Sequence, residues 1–122
     1  MKTLQIRTSM FPKHTNSQGT IFGGVILSYL DIAAAEHARD HSCQNFVTKV
    51  VKEVNFISPV FVGDKVSFYT ETTKVGTTSI TIKVTVEAEG RLSNESVKVT
   101  EAEVVMVAID DQGNPTTITK KS

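Results

Sequence analysis

Between residue 23 or 24 and about residue 41 the chain carries its only good helical pattern, and that pattern is apolar on nearly every side. Val25, Ile26, Leu27, Tyr29, Leu30, Ile32 and four alanines crowd its first two-thirds. Polar residues gather only near its end, at Glu36, His37, Arg39, Asp40 and His41. An ordinary surface helix keeps a broad polar face. This one is therefore expected to be central, packed against something on most sides.

The remaining segments read as strand and turn. Residues 3–9, "TLQIRTS", alternate as a short strand would, and 11–20, with Pro12, Asn16 and Gly19, read as a loop. Residues 46–57 are rich in Val and Phe and stop at Ser58 and Pro59. Residues 65–75 follow the turn signal "VGD", and Gly76 separates them from 78–89. There Ile80, Ile82, Val84, Val86 and Ala88 face one way and Ser79, Thr81, Lys83, Thr85 and Glu87 the other. One apolar and one wet face is the antiparallel pattern. "EGRLSNE" (89–95) reads as a hairpin connection, 97–109 ends in the run "VVMVAI" of a central strand, and "DDQGNP" (110–115) is a turn. Long strands joined by short turns predict an antiparallel sheet with one long helix across its concave face, an α+β layer arrangement. One helix leaves edge strands exposed, so oligomerisation by edge pairing is expected.

A chain of 122 residues fits one domain, spanning 1–122. At that size roughly two-thirds of the unfolded surface is buried, enough for a core without staples. Thirteen basic residues balance thirteen acidic ones, so there is no global field to draw nucleic acid or an anionic membrane. Cys43 is the only cysteine; no intramolecular disulfide can form, which fits a reducing, cytoplasmic setting. The N-terminus lacks the apolar run of a signal peptide, no segment reaches the length of a membrane span, and "TTITKKS" reads as a frayed basic tail.

Inside the apolar helix stands one carboxylate, Asp31, seven residues and thus two turns after Gly24. Its neighbours at helical spacing are Leu27, Ser28, Ala34 and Ala35, with no Lys or Arg among them. An unpaired buried carboxylate is costly unless it has hydrogen-bond partners or water access. The first N–H groups of a helix lack intrahelical acceptors and carry the positive end of its dipole. Glycine lets a carbonyl come close to them. Gly23 and Gly24 with Asp31 thus offer an oxyanion hole and a base or nucleophile facing the same carbonyl, the two elements that acyl transfer to water needs. Helix-start glycines also serve close packing, and a helical aspartate is often a solvated surface group. Here the residues around Asp31 deny it an obvious wet face.

The stretch "HTNSQGTIFGGVILSYLDIAAAEHA" (14–38) resembles the opening motif of the hotdog-fold acyl-CoA thioesterases, and within them the YciA-like branch of the acyl-CoA hydrolase family. The likeness continues through "VNFISPVFVGDKVSFYTETTKVGTTSITIKVTVEAE" (54–89) and "VTEAEVVMVAIDDQGNP" (99–115). It implies a hotdog fold, a long central α-helix wrapped by a curved antiparallel β-sheet. It implies dimers paired sheet edge to sheet edge, with three dimers forming a hexamer and active sites at the dimer interface. The activity implied is hydrolysis of acyl-CoA thioesters in fatty acid metabolism, with coenzyme A as part of substrate and product and no other cofactor required. Asp31 would act as general base or nucleophile. Asn16 of the partner subunit would help to place water or the carbonyl. The backbone at Gly23 and Gly24 would polarise the thioester carbonyl. "KVGTTS", with Lys74, Gly76, Thr77, Thr78 and Ser79, would lie near the pantetheine and nucleotide, although plain hairpin chemistry explains these residues equally well. Lys120 and Lys121 are candidates for a phosphate contact or simply a solvated tail, and Asn55 is a weaker site candidate. The chain is short after Pro115, so no coenzyme A contact from a longer tail is expected.

Other signals are bland. His37 and His41 have metal-ligand spacing but lack the intervening Glu of a metalloprotease motif and any evident third ligand, so no metal site is expected. His14 reads as a loop residue, and Cys43 as a packed or idle thiol. Two functions compete with hydrolysis. A hydroxyacyl-thioester dehydratase of the same fold would want a catalytic His where this chain offers Asn16 and Asp31. A non-catalytic acyl-CoA-binding or regulatory domain would not need both. Acyl chain length depends on how Tyr29, Phe56 and their neighbours pack.

Overall fold

The computed structural model describes residues 2–90, 93 and 95–119. Its elements run β1 (Thr3–Ser9), a 3-10 turn (Pro12–His14), α1 (Gly23–His41), β2 (Asn45–Lys52), β3 (Lys65–Val75), β4 (Ser79–Glu89) and β5 (Ser96–Ile109). The strands form one sheet in the order β1-β3-β4-β5-β2, every neighbouring pair antiparallel. The helix packs on this sheet, so the α+β arrangement expected from the sequence is the one observed.

The alternation in β4 works as read: Ile80, Ile82, Val84, Val86 and Ala88 are buried towards the helix. The opposite face carries ion pairs, among them Lys83 with Glu71 and Glu101, Lys98 with Glu101 and Lys65 with Glu89. Exposed pairs of this kind add little stability and mainly keep that face wet. Each of the four strand pairings contains one register shift: at 4–6, 48–50, 72–74 and 86–87. An extra residue in a ladder bends the strand and increases its twist, which is how a sheet turns around a helix.

The helix meets the sheet along Ile26, Leu30, Ala33, Ala34 and Ala38, a single stripe at helical spacing. The sequence expectation is a helix packed on most sides, and within one chain the sheet supplies one of them. One sheet covers only one flank, so Leu27 and Ile32 on the other flank stay exposed. The strand expected over 46–57 is also shorter. Its ladder with β5 ends at Lys52, and Glu53 takes a left-handed backbone, φ 56°. Residues 55–57 are then fastened to β5 by other means. Thr100 Oγ1 donates to the Asn55 carbonyl at 2.8 Å, and Ile57 N–H donates to the Val99 carbonyl at 2.7 Å.

The sheet's edges are β1 and β2. On β2, Val47, Val50 and Val51 are all exposed. Of the hairpin at 89–95, residues 91, 92 and 94 lie outside the described residues, as do Lys120 and Lys121.

Candidate active site

Asp31 lies midway along α1, on the flank that the sheet leaves partly open. The edge strand β2 runs beside that flank, and Thr48 Oγ1 donates a 2.5 Å hydrogen bond to Asp31 Oδ1. Among the described residues Asp31 has no Lys or Arg partner, and its Oδ2 accepts no hydrogen bond. Leu27, one turn before Asp31, and Ile32, next to it in the chain, are exposed apolar residues of the same helix. The result is a carboxylate fixed at one oxygen and free at the other. Thr48 is the site residue that sequence reasoning missed. Its only signal is a hydroxyl within a Val-rich strand, and which strand borders the helix is a tertiary matter.

The entry loop explains Asn16. Its Oδ1 accepts from Gln18 N–H at 2.9 Å and Thr20 N–H at 3.1 Å, and its Nδ2 donates to Thr20 Oγ1 at 2.8 Å. Its own N–H reaches the Thr20 carbonyl at 2.7 Å, and Thr15 bridges to Ile21. Asn16 therefore holds the loop closed and makes no contact with Asp31 of the same chain. An amide nitrogen has two hydrogens; one is spent on Thr20 and the other is available. His14 is half-buried in the same loop, where its Nδ1 accepts from Phe11 N–H and its carbonyl from Phe22 N–H.

Phe22 precedes the helix without a side-chain cap, and Val25 N–H turns back to the Phe22 carbonyl at 3.1 Å. Gly23 and Gly24 thus open the helix with N–H groups that have no intrahelical acceptor. The two differ in surroundings. A Cβ on Gly23 would meet the Phe56 ring at 3.4 Å, whereas one on Gly24 would meet nothing within 4 Å. Beside Gly23 opens a cleft of about 400 Å³, with Ile21, Ile26 and Val60 buried along it and Phe56 and Ile57 exposed at its side.

The turn with Lys74, Gly76, Thr77, Thr78 and Ser79 lies at the other end of the molecule. Gly76 N–H donates to the Ser79 carbonyl at 2.7 Å, and a Cβ there would stand 2.9 Å from Ser79 Oγ, so a larger residue would displace that hydroxyl. The Thr77 and Thr78 carbonyls accept from Ile118 and Ala108 N–H. Gln44, just beyond the helix C-terminus, bonds Thr117 and Thr119. Within one chain this turn is therefore grouped with the end of α1 and not with Gly23 and Gly24 at its start. Asn55 is exposed at the side chain and bonded through its carbonyl. Tyr29 is half-buried, its ring 5.7 Å from that of Phe68.

Neither helical histidine faces Asp31. His37 is clasped between Thr70 Oγ1, 2.9 Å from Nδ1, and Thr72 Oγ1, 2.7 Å from Nε2. Its burial lowers its pKa, opposed by the Asp40 carboxylate and reinforced by His41. Cys43 is a free, exposed thiol and not a packed one.

The thioesterase superfamily profile matches residues 18–94, more than half of the chain. The chain belongs to the thioesterase superfamily. Within this superfamily it is 39% identical over 116 residues to the acyl-CoA thioester hydrolase YciA of Salmonella typhimurium, covering 92% of this chain and 86% of that one. It superposes with a TM-score of 0.88 on a hexameric hotdog-fold thioesterase of Campylobacter jejuni, at 36% identity over 95% of this chain and 90% of the other. It superposes at 0.87 on an acyl-CoA hydrolase of Staphylococcus aureus solved with butyryl coenzyme A and coenzyme A, at 27% identity over 98% of this chain and 72% of that one. The fold is thus the hotdog, and the expected YciA likeness holds along most of the chain.

Proposed function

We propose that this chain, acting as a single domain over 1–122, hydrolyses acyl-CoA thioesters to a carboxylic acid and free coenzyme A. The observation that carries the reading is the Asp31 carboxylate, tethered at one oxygen by Thr48 and open at the other. Water adds to the thioester carbon as Asp31 takes its proton, or Asp31 itself adds and water then cleaves the mixed anhydride. Either way a C–O bond forms, the C–S bond breaks, and the sulfur leaves as the thiol once protonated. The helix-start N–H groups of Gly23 and Gly24 stabilise the oxyanion between these steps, a role worth about 3–4 kcal/mol per donor. No cofactor beyond the substrate's own coenzyme A is required.

Asp31 stands two turns, about 10 Å along the axis, from Gly24. Within a single chain that separation is too long for both to reach one carbonyl. The acid and the amides that serve one thioester therefore come from two chains, with the partner's Asn16 amide hydrogen also reaching into the site. The exposed valines of β2 and the open flank of α1 support a dimer through that edge. Three such dimers make the hexamer, the assembly of the Campylobacter jejuni relative. The turn from Lys74 to Ser79 receives the distal part of coenzyme A, supplied by a neighbouring chain. A reducing cytoplasm suits the free thiol of Cys43. The occupation of His37 by two threonines and of His14 by Phe11 supports hydrolysis over dehydration, which wants a histidine at the reacting carbon.

The test is thiol release from acyl-CoAs of two to sixteen carbons. Turnover of at least one member is expected; none across the series overturns the reading. Single-turnover hydrolysis in ¹⁸O-water distinguishes the two routes, because label enters Asp31 only if an anhydride forms.

A further inference from the structure

We infer that Phe56 is the specificity-determining residue for the acyl group, its ring forming the movable wall of the cleft beside Gly23. This rests on the hydrolase reading above and names the part of the substrate that the cleft takes. The cleft starts at Gly23, where a thioester carbonyl held by the helix-start amides would sit. Ile21, Ile26 and Val60 line it and are almost wholly buried. At its surface stand Phe56, Ile57 and Pro59, with Thr20 and Ser58 as its hydroxyls, a mainly apolar lining that suits a hydrocarbon chain better than the polar pantetheine arm. The ring of Phe56 lies against Gly23 with 3.4 Å to the site of an added Cβ, yet 46% of the residue is exposed. An aromatic residue in that position can swing without disturbing the core.

The backbone beneath it cannot. Asn55 is held through its carbonyl by Thr100, and Ile57 through its N–H by Val99. Phe56 is the residue between these two anchors, so a change of its side chain alters the wall and leaves the segment in place. A Cβ added at Gly23 would stand in ordinary van der Waals contact with that ring. Gly24, with open space in front of it, is free to serve the carbonyl.

The experiment is calorimetric binding of alkyl-CoA thioethers, which cannot be hydrolysed, with two- to twelve-carbon chains, to the full protein and to Phe56→Ala and Phe56→Leu. The readout is the ratio of alkyl-CoA to coenzyme A affinity within each protein. In the wild type this ratio rises about three- to fourfold per methylene until the cleft is full. In Phe56→Ala it falls by tenfold or more for four to six carbons and its plateau moves to longer chains; Phe56→Leu lies between. Ratios that are identical in all three proteins, or independent of chain length in the wild type, overturn the inference. Hydrolysis is scored separately. Length-dependent binding altered at Phe56 without any thiol release keeps the acyl cleft and removes the hydrolase reading, and thiol release with unaltered ratios does the reverse.

Discussion

Thr48 and Asp31 are 17 residues apart in the chain and joined by a 2.5 Å hydrogen bond, from an edge strand to the middle of the helix. The bond turns an aspartate that would otherwise rotate freely into an oriented one. It also ties the catalytic candidate to β2, the strand on which dimerisation is proposed.

Asp31→Asn keeps the shape of the side chain and removes its ability to take a proton or attack carbon. Loss of about 10²–10⁴-fold in kcat is expected, the usual worth of a positioned acid or base. Asp31 is partly exposed, so the circular dichroism spectrum and melting midpoint should stay close to wild type. A variant with wild-type kcat would remove Asp31 from the mechanism.

Thr48→Ala deletes the donor to a charged acceptor, an interaction worth about 1.5–3 kcal/mol. The corresponding loss is roughly 10–100-fold, seen in kcat with KM little changed, and Thr48→Ser should restore most of it. Steady-state kinetics with one acyl-CoA decides this. Equal loss in Thr48→Ser would point to packing of the methyl group instead.

A double substitution Val47→Lys and Val51→Lys places two charges on the exposed edge of β2. Charged side chains on an edge oppose pairing with another strand. Size-exclusion chromatography with light scattering should show a shift towards monomer, and thiol release should fall with it because each site draws on two chains. Full activity in a monomer would sink the shared-site arrangement.

His37 gives a pH dependence of stability. Burial lowers its pKa from 6.5, opposed by Asp40 and helped by His41. The unfolded chain therefore binds more protons than the folded one in the window between the lowered value and 6.5. Stability rises with pH across that window. The contribution of His37 is complete above 6.5 and is lost as the pH falls through its lowered folded value. Urea midpoints from pH 7.5 down to 5 should decline more steeply for wild type than for His37→Gln; parallel declines would exclude the effect.

Glu53 holds a left-handed backbone that costs a non-glycine residue about 1–2 kcal/mol. Glu53→Asn, better suited to that region, should raise the melting midpoint, and Glu53→Val, stiffened at Cβ, should lower it. Changes of the same sign in both variants would show that the side chain, and not the backbone, matters there.

Much of this protein is written in local pattern. The helix bounds at Gly23 and His41, the alternation along β4 and the turns at Gly76 and at 110–115 follow from short-range periodicity and turn chemistry, which any few neighbouring residues express. Asp31 stands out because nothing on its own helix can pair with it. The end of β2 at Lys52 was not legible, because Val54, Phe56 and Ile57 look like more strand. Only the left-handed turn at Glu53 and the ties to Val99 and Thr100 break the ladder. The partner of Asp31 was hidden for the same reason. The sequence by itself determined which elements form and which carboxylate has no partner on its own helix; only the tertiary structure decided that Thr48 meets it, that Phe56 rests on Gly23 and that the chain's own sheet leaves one flank of the helix uncovered. Periodicity is a property of neighbours along the chain, whereas these contacts depend on where bulges and bends deliver segments that are distant in sequence.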